Sequence, residues 1–348
     1  MLLCGGSVIY TLFTQSKFHY IFWKEWKECK ENIYNIIMVL FFWIFFVTFI
    51  EGFVIKSHLL SSTMTQTHIS LFDPKKTVYT YTAAREPKQT GDDETAILLI
   101  HGFGSSHHHW RSNIPVLSES YDTYAIDLLG FGSSEKSASS SYNISMWTEQ
   151  VLTFIDQVIQ KPCILVGNSL GAYIGLAAAS ADSKKMKIRG VIAINPAVIS
   201  KMDKPITFNW FSSKSVIKTY FQFAKKRSTI QFFLKSLYPV FPERVDDSLL
   251  DSIENPSRHP NATEVFYRVL MENVLHPTTY IEDILENITA PLLVIYGEKD
   301  PWINIKTVKK ITDIYPKSGF ITVKAGHCPQ DEIPEIVNPL ILFFMTTL

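Results

Sequence analysis

Ser169 sits in Gly167-Asn168-Ser169-Leu170-Gly171, between an apolar run ending at Val166 and an Ala-rich stretch from Leu170 to Ala181. A serine hydroxyl is a weak nucleophile until a base takes its proton and a third group holds that base. G-x-S-x-G supplies its share of this chemistry when a strand precedes it and a helix follows. Gly167 and Gly171 then leave room for a strained turn that lifts the hydroxyl above a sheet, and the helix N-terminus favours negative charge there. His327, in Ala325-Gly326-His327-Cys328 after the apolar run Gly319–Val323, is the candidate base. Asp300, in Gly297-Glu298-Lys299-Asp300 after the run Leu292–Tyr296, is the candidate orienting acid. Glu298 is a weaker choice, because it is expected at the strand end. Asp331 and Glu332 follow His327 too closely and are expected to cap the final helix.

A second turn offers an anion site. His101-Gly102-Phe103-Gly104 follows the apolar run Ala96–Ile100. Small residues there let the backbone N–H groups of Phe103 and Leu170 converge on a carbonyl oxygen under attack, an oxyanion hole in which each donor contributes about 2.7–4 kcal/mol. His107, His108 and His109 are consecutive, so they point in different directions. No carboxylate stands at ligand spacing to them, and no metal is expected. Asp127, in Asp127-Leu128-Leu129-Gly130-Phe131-Gly132, is expected to stabilise a loop.

These turns need a sheet beneath them. Ala96–Ile100, Tyr121–Ile126, Cys163–Val166, Gly190–Ile194, Leu292–Tyr296 and Gly319–Val323 are short apolar runs of the kind buried on both faces. Helical stretches at Ile144–Ile159, Leu170–Ala181 and Ile303–Ile314 alternate with them, which predicts a mostly parallel sheet flanked by helices. Thr67–Phe72 and Thr77–Thr82, joined at Asp73-Pro74, read as an edge hairpin. Composition agrees: with 46% apolar and 19% charged residues among 348, the chain is not largely disordered. Lys+Arg 33 against Asp+Glu 33 gives zero net charge and excludes nucleic acid as the main partner. Four scattered cysteines exclude a disulfide scaffold or a zinc module.

The stretch from Ile97 to the C-terminus resembles an α/β-hydrolase throughout, including the chain order Ser169, Asp300, His327. His101-Gly-Phe-Gly104, His109-Trp-Arg111, Ala125-Ile-Asp-Leu-Leu-Gly-Phe-Gly132, Asp300-Pro-Trp302 and Gly326-His-Cys-Pro-Gln-Asp-Glu-Ile-Pro334 narrow the likeness. Together they are similar to the plant and algal group containing pheophytinase and chlorophyll dephytylase, which hydrolyse the phytol ester of chlorophyll pigments. The resemblance implies Ser169 as nucleophile, His327 as base and Asp300 as its acid, with no cofactor. It also implies a plastid location in a photosynthetic source, and an endomembrane in any other. Two alternatives share the fold: a lipase or acylglycerol hydrolase and, less favoured, a C–C bond hydrolase. A catalytically silent scaffold is disfavoured by the intact triad positions.

Two regions lie outside that core. Ile33–Ile55 is a run of about 23 residues whose clearly polar members are Asn35, Thr48 and Glu51. As a helix it would reach about 34 Å, enough to cross a hydrocarbon core of about 30 Å. It is expected to be a single transmembrane helix after an N-terminal segment (1–32) and before a linker (56–66), with the hydrolase domain spanning 67–348. Lys17, Lys24, Lys27 and Lys30 precede it, which favours the N-terminus on the cytoplasmic side. A helical cap is expected at about 197–289. Its aromatics, among them Phe208, Trp210, Phe211 and Phe232, alternate with lysines and favour a lipophilic ester as substrate. The expected partners are that ester and a membrane, and the protein is expected to be monomeric.

Overall fold

The computed structural model describes residues 66–72, 75–87, 94–183, 187–202 and 213–348. The proposed membrane helix at 33–55, the segment before it, nearly all of the linker, and Phe208, Trp210 and Phe211 lie outside the described residues. Among the described residues no helix is long and apolar enough to cross a membrane.

Eight strands form one sheet: β1 (Gln66–Phe72), β2 (Lys75–Thr82), β3 (Ala96–Ile100), β4 (Thr123–Ile126), β5 (Cys163–Asn168), β6 (Ile188–Ile194), β7 (Leu292–Gly297) and β8 (Gly319–Val323). Their spatial order is β1-β2-β4-β3-β5-β6-β7-β8. The β1–β2 and β2–β4 pairs are antiparallel, and every pair from β4 to β8 is parallel. The hairpin therefore stands at the sheet edge, as its sequence suggests, and it starts one residue inside the expected linker, with Gln66 paired to Thr80.

Among the described residues the helices of seven residues or more are α1 (Ile144–Phe154), α2 (Leu170–Asp182), α3 (Lys214–Ala224), α4 (Arg227–Leu237), α5 (Asp247–Ser257), α6 (Ala262–Leu270), α7 (Ile281–Asn287), α8 (Ile305–Ile314) and α9 (Pro334–Met345). The two-residue side-chain period of a strand sorts the central core into two layers. Leu98, Ile100, Leu165, Val191 and Val294 face a layer that includes Trp147 of α1 and Tyr173 and Leu176 of α2. Their neighbours Ile97, Leu99, Ile164, Ile192 and Ile295 face Trp110 and, from α9, Ile341 and Phe344. From β4 to β7 both faces are covered, which explains continuous apolar runs where a half-exposed strand would alternate. Gly319–Val323, expected to be buried on both faces, is the exception: as the edge strand β8 it pairs with β7 alone, and of its residues only Val323 is buried.

Among the described residues five helices of seven residues or more, α3 to α7, lie between β6 and β7. Ile230, Leu234, Leu237, Tyr238, Val245, Leu249 and Leu250 form a small core of their own, and Cys328 joins it. The last helix differs: Ile281, Ile284 and Leu285 of α7 pack into the main core.

Candidate active site

Ser169 occupies the turn between β5 and α2 at φ 54° and ψ −115°. A side-chain-bearing residue is strained there. Packing enforces the strain. A Cβ on Gly171 would stand 2.2 Å from the carbonyl oxygen of Ile100, and one on Gly167 would stand 2.4 Å from the Gly171 backbone. Only glycine lets helix, strand and the β3 turn come this close. Leu170 is the first residue of α2, so its N–H has no acceptor within the helix.

The Gly102 turn meets the serine from the other side. A Cβ on Gly102 would lie 3.3 Å from Ser169 Cβ, so the Phe103 backbone passes beside the hydroxyl-bearing residue. His101 locks this turn: its Nδ1 donates to the Gly102 carbonyl at 2.7 Å, and its Nε2 accepts from Leu128 N–H at 3.0 Å. That pattern requires the neutral ring, and burial lowers its pKa. Phe103 itself is 41% exposed and its ring packs on Phe131 and Phe266.

His327 Nδ1–H donates to Asp300 Oδ2 at 2.7 Å, with both side chains buried. Asp300 Oδ1 accepts from the N–H groups of Trp302 and Ile303 at 2.7 and 3.0 Å, which fixes the rotation of the carboxylate. The Trp302 ring lies 5.3 Å from that of His327. Glu298 is exposed and accepts from Thr322 Oγ1 at 3.0 Å, away from the imidazole. Sequence order thus brings Asp300, not Glu298, to His327.

Two asparagines that the motifs did not single out tie these turns together. Asn168 Nδ2 donates to the His327 carbonyl at 3.0 Å. Asn195 Nδ2 donates to the Gly326 carbonyl at 2.8 Å, while its Oδ1 accepts from Gly297 N–H at 2.7 Å. Each asparagine ends a strand run, and that position was the one available signal.

Asp331 and Glu332 are not caps of the final helix. They lie in the short helix Pro329–Glu332 before it, fully buried, and bond elsewhere. Glu332 Oε1 accepts from the N–H groups of Val240 and Phe241, and Oε2 accepts from Gly326 N–H at 2.5 Å. Asp331 accepts from Arg111 Nε and Nη2 at 3.1 and 3.2 Å and from the Tyr238 hydroxyl at 2.8 Å. Burial raises the Asp331 pKa, an effect that Arg111 opposes. Since Tyr238 gives its proton to Asp331, His109 must donate from Nε2 to the Tyr238 oxygen, 2.7 Å away. Burial, reinforced by Arg111, takes the His109 pKa down to about 3, so the ring is neutral. His107 pairs with Asp127 at 2.9 Å, and His108 lies 3.2 Å from Ser248 Oγ. Asp127 also accepts from Ser133 N–H at 2.7 Å, the loop-stabilising position expected of it. Among the described residues no group of His, Cys, Asp and Glu is arranged to hold a metal.

The family model described as the alpha/beta hydrolase fold matches residues 95–334. The chain belongs to the α/β-hydrolase family. This α/β-hydrolase is 26% identical over 297 residues to pheophytinase, chloroplastic, of Arabidopsis thaliana, covering 72% of this chain and 60% of that protein. The match thus spans less than two thirds of the plant protein. It is 25% identical over 253 residues to the uncharacterized hydrolase YugF of Bacillus subtilis (strain 168), covering 72% and 89%. Among crystal structures, a serine hydrolase involved in carbazole degradation superimposes with a TM-score of 0.66 at 19% identity, covering 82% of this chain and 100% of that one. At that identity the likeness speaks for the fold.

Proposed function

We propose that this α/β-hydrolase is a membrane-anchored serine esterase acting on a carboxylic ester of a lipophilic alcohol or acyl chain. The observation that carries it is the 2.7 Å bond from His327 Nδ1–H to the buried Asp300 carboxylate, at the sheet end that also bears the strained Ser169 turn. With Nδ1 protonated, Nε2 is free to act as base. Ser169 Oγ attacks the acyl carbon, and Nε2 takes its proton. The N–H groups of Phe103 and Leu170 hold the oxyanion, and the imidazolium returns the proton to the departing alcohol. Water, activated by the same Nε2, then attacks the acyl-enzyme and releases the acid and free Ser169. No cofactor enters.

The lipophilic substrate is supported by the aromatic surroundings of Phe103 and by similarity to pheophytinase, which makes a phytol-type pigment ester the first compound to try. Anchoring rests on the apolar run Ile33–Ile55 in the sequence. A fluorophosphonate probe should label the wild type and not Ser169→Ala. Hydrolysis of a panel holding a pheophytin, a phospholipid and a monoacylglycerol should stop in the same variant. Labelling of Ser169→Ala at the wild-type level would refute the nucleophile, and an inactive panel with an active short-chain polar ester would refute the substrate class.

A further inference from the structure

The α3–α4 hairpin has an unbalanced surface. From Lys214 to Pro242 the chain carries six lysines and arginines and no aspartate or glutamate. Half of that charge is neutralised within the protein. Lys214 and Lys218 pair with Glu264, and Arg227 pairs with Asp247, Asp251 and Glu254. Lys225, Lys226 and Lys235 have no acidic partner among the described residues. On the same stretch of chain two large apolar rings face solvent, Phe223 at 44% and Phe232 at 48% exposure. Lys226 Nζ lies 4.8 Å over the Phe223 ring. Exposed phenyl rings among unpaired cations match an interface with a negatively charged polar layer above and hydrocarbon beneath.

The opposite face of α3 leads inward. Phe221, buried, packs on Phe266 at 4.9 Å between ring centroids, and Tyr220 lies 6.2 Å from the same ring. Phe266 in turn stands 5.8 Å from Phe103. Tyr220 and Phe221 of α3 thus begin a row of aromatic rings ending at the turn beside Ser169, while Phe223 of the same helix and Lys226 just after it face outward.

We propose that the α3–α4 hairpin docks on an anionic lipid bilayer, laying Phe223 and Phe232 into the interface and Lys225, Lys226 and Lys235 among the headgroups. The inner aromatic row then offers a lipophilic ester an apolar wall from that face to Phe103. This last step rests on the ester reading above, and the docking itself does not. Near an anionic surface each lysine strengthens binding by about fivefold, so charge reversal at two of them should weaken docking by well over tenfold. High salt should act in the same direction.

The test is peptide-resolved hydrogen exchange on the full chain, with phosphatidylcholine vesicles and with vesicles also containing phosphatidylserine. Peptide resolution separates the hairpin from any insertion by residues 33–55. Peptides from α3 and α4 should gain protection with the anionic vesicles alone, and should lose that gain in Lys225→Glu/Lys226→Glu and in high salt. Hydrolysis of a soluble ester by this variant should match the wild type. Equal protection on neutral vesicles, none on anionic ones, or an undiminished gain in the double variant would overturn the proposal. So would protection without vesicles that grows with protein concentration, which would make the hairpin a self-association face. Failure of fluorophosphonate labelling would count against the esterase reading and leave the exchange result untouched.

Discussion

The side chain of Asn168 donates to the main-chain carbonyl of His327 at 3.0 Å, so the residue preceding the serine holds the turn that carries the histidine. The two turns stand at the ends of β5 and β8, with β6 and β7 between those strands in the sheet. Serine and imidazole are thus referenced to the same rigid strand ends, as a proton transfer between them demands.

Asp300→Asn should be far more damaging than its near-isosteric shape suggests. The N–H groups of Trp302 and Ile303 require an oxygen at the Oδ1 position. Asparagine must therefore turn its NH2 toward His327 Nδ1. The imidazole answers by becoming an acceptor at Nδ1 and carrying its proton on Nε2, the wrong tautomer for a base. A fall in kcat of about 10⁴ is expected, the size seen in a comparable triad. Glu298→Gln should leave kcat within about twofold, since its partner is Thr322 at the surface. Steady-state kinetics of the two variants, with the order reversed, would refute the assignment.

Glycine substitutions in α2 should separate turn from helix. At Gly171 an added methyl meets the carbonyl oxygens of Ile100 and His101 at 2.2 and 2.5 Å, backbone atoms at the end of β3 and in the turn after it that cannot yield cheaply. Gly171→Ala should unfold the site or lower stability by several kcal/mol, in the range of severe core overpacking. At Gly175, one turn further on, the nearest atoms are side-chain carbons at 3.7–3.9 Å, an ordinary contact. Gly175→Ala should be neutral or stabilising by up to about 1 kcal/mol, the helix-propensity gain. Denaturant unfolding of both proteins checks the contrast.

Much of this arrangement is legible in the sequence because it is local. Strand, glycine turn and helix are consecutive at Ser169, and Asp300 and His327 each stand a few residues beyond a strand, the buried β7 and the edge strand β8. Boundaries slipped where packing outranked pattern. β4 begins at Thr123, not Tyr121, and the helix from Ile144 loosens into a π turn at Ile155–Ile159 before Gln160 turns left-handed. The roles of Asp331 and Glu332 are not legible, because their partners, Arg111 and Tyr238 for one and Val240 and Phe241 for the other, come from segments far away in the chain. No periodicity or spacing encodes a bond between a carboxylate and a distant backbone N–H.

Stability should fall early on acidification. His101, His108 and His109 are held neutral by burial, with His108 brought down to about 4 and His109 to about 3. In the unfolded chain the same rings protonate near pH 6.5. Folded pKa values below the unfolded ones mean that the contribution is complete above about pH 6.5 and is lost as pH falls toward the folded values. Between about pH 6.5 and 5, above the range of most carboxylates, His108 and His109 each add a slope approaching 1.4 kcal/mol per pH unit, and His101 acts in the same direction. Urea unfolding across that window should reveal it. His109→Gln keeps a donor for Tyr238 and should remove about one proton from the slope. An unchanged slope would mean that the ring is solvated in the native state.

Asn195 offers the sharpest test of how the site is held. It sits at φ 42°, a left-handed conformation that asparagine tolerates better than most side chains. Its carboxamide joins Gly326, the residue before His327, to Gly297, three residues before Asp300. Asn195→Ala leaves a buried carbonyl and a buried N–H without partners, at about 1–3 kcal/mol each, and puts alanine in a strained backbone. Much of the cost should fall on catalysis, because the two turns that lose their tie carry the acid and the base. Displacements near 1 Å at such a pair cost about 10² in rate. A fall in kcat of ten- to a hundredfold with KM within about threefold is expected, together with a lowered Tm. Asn195→Asp keeps the acceptor for Gly297 N–H, but its ionised carboxylate would be buried against the Gly326 carbonyl with no partner. Near pH 7 it should be no more stable than Asn195→Ala. As falling pH protonates the acid, its O–H can donate to Gly326 and it should become the more stable of the two. If Asn195→Asp gains nothing on Asn195→Ala at low pH, or if Asn195→Ala raises KM alone, the asparagine supports the fold without registering His327 against Asp300.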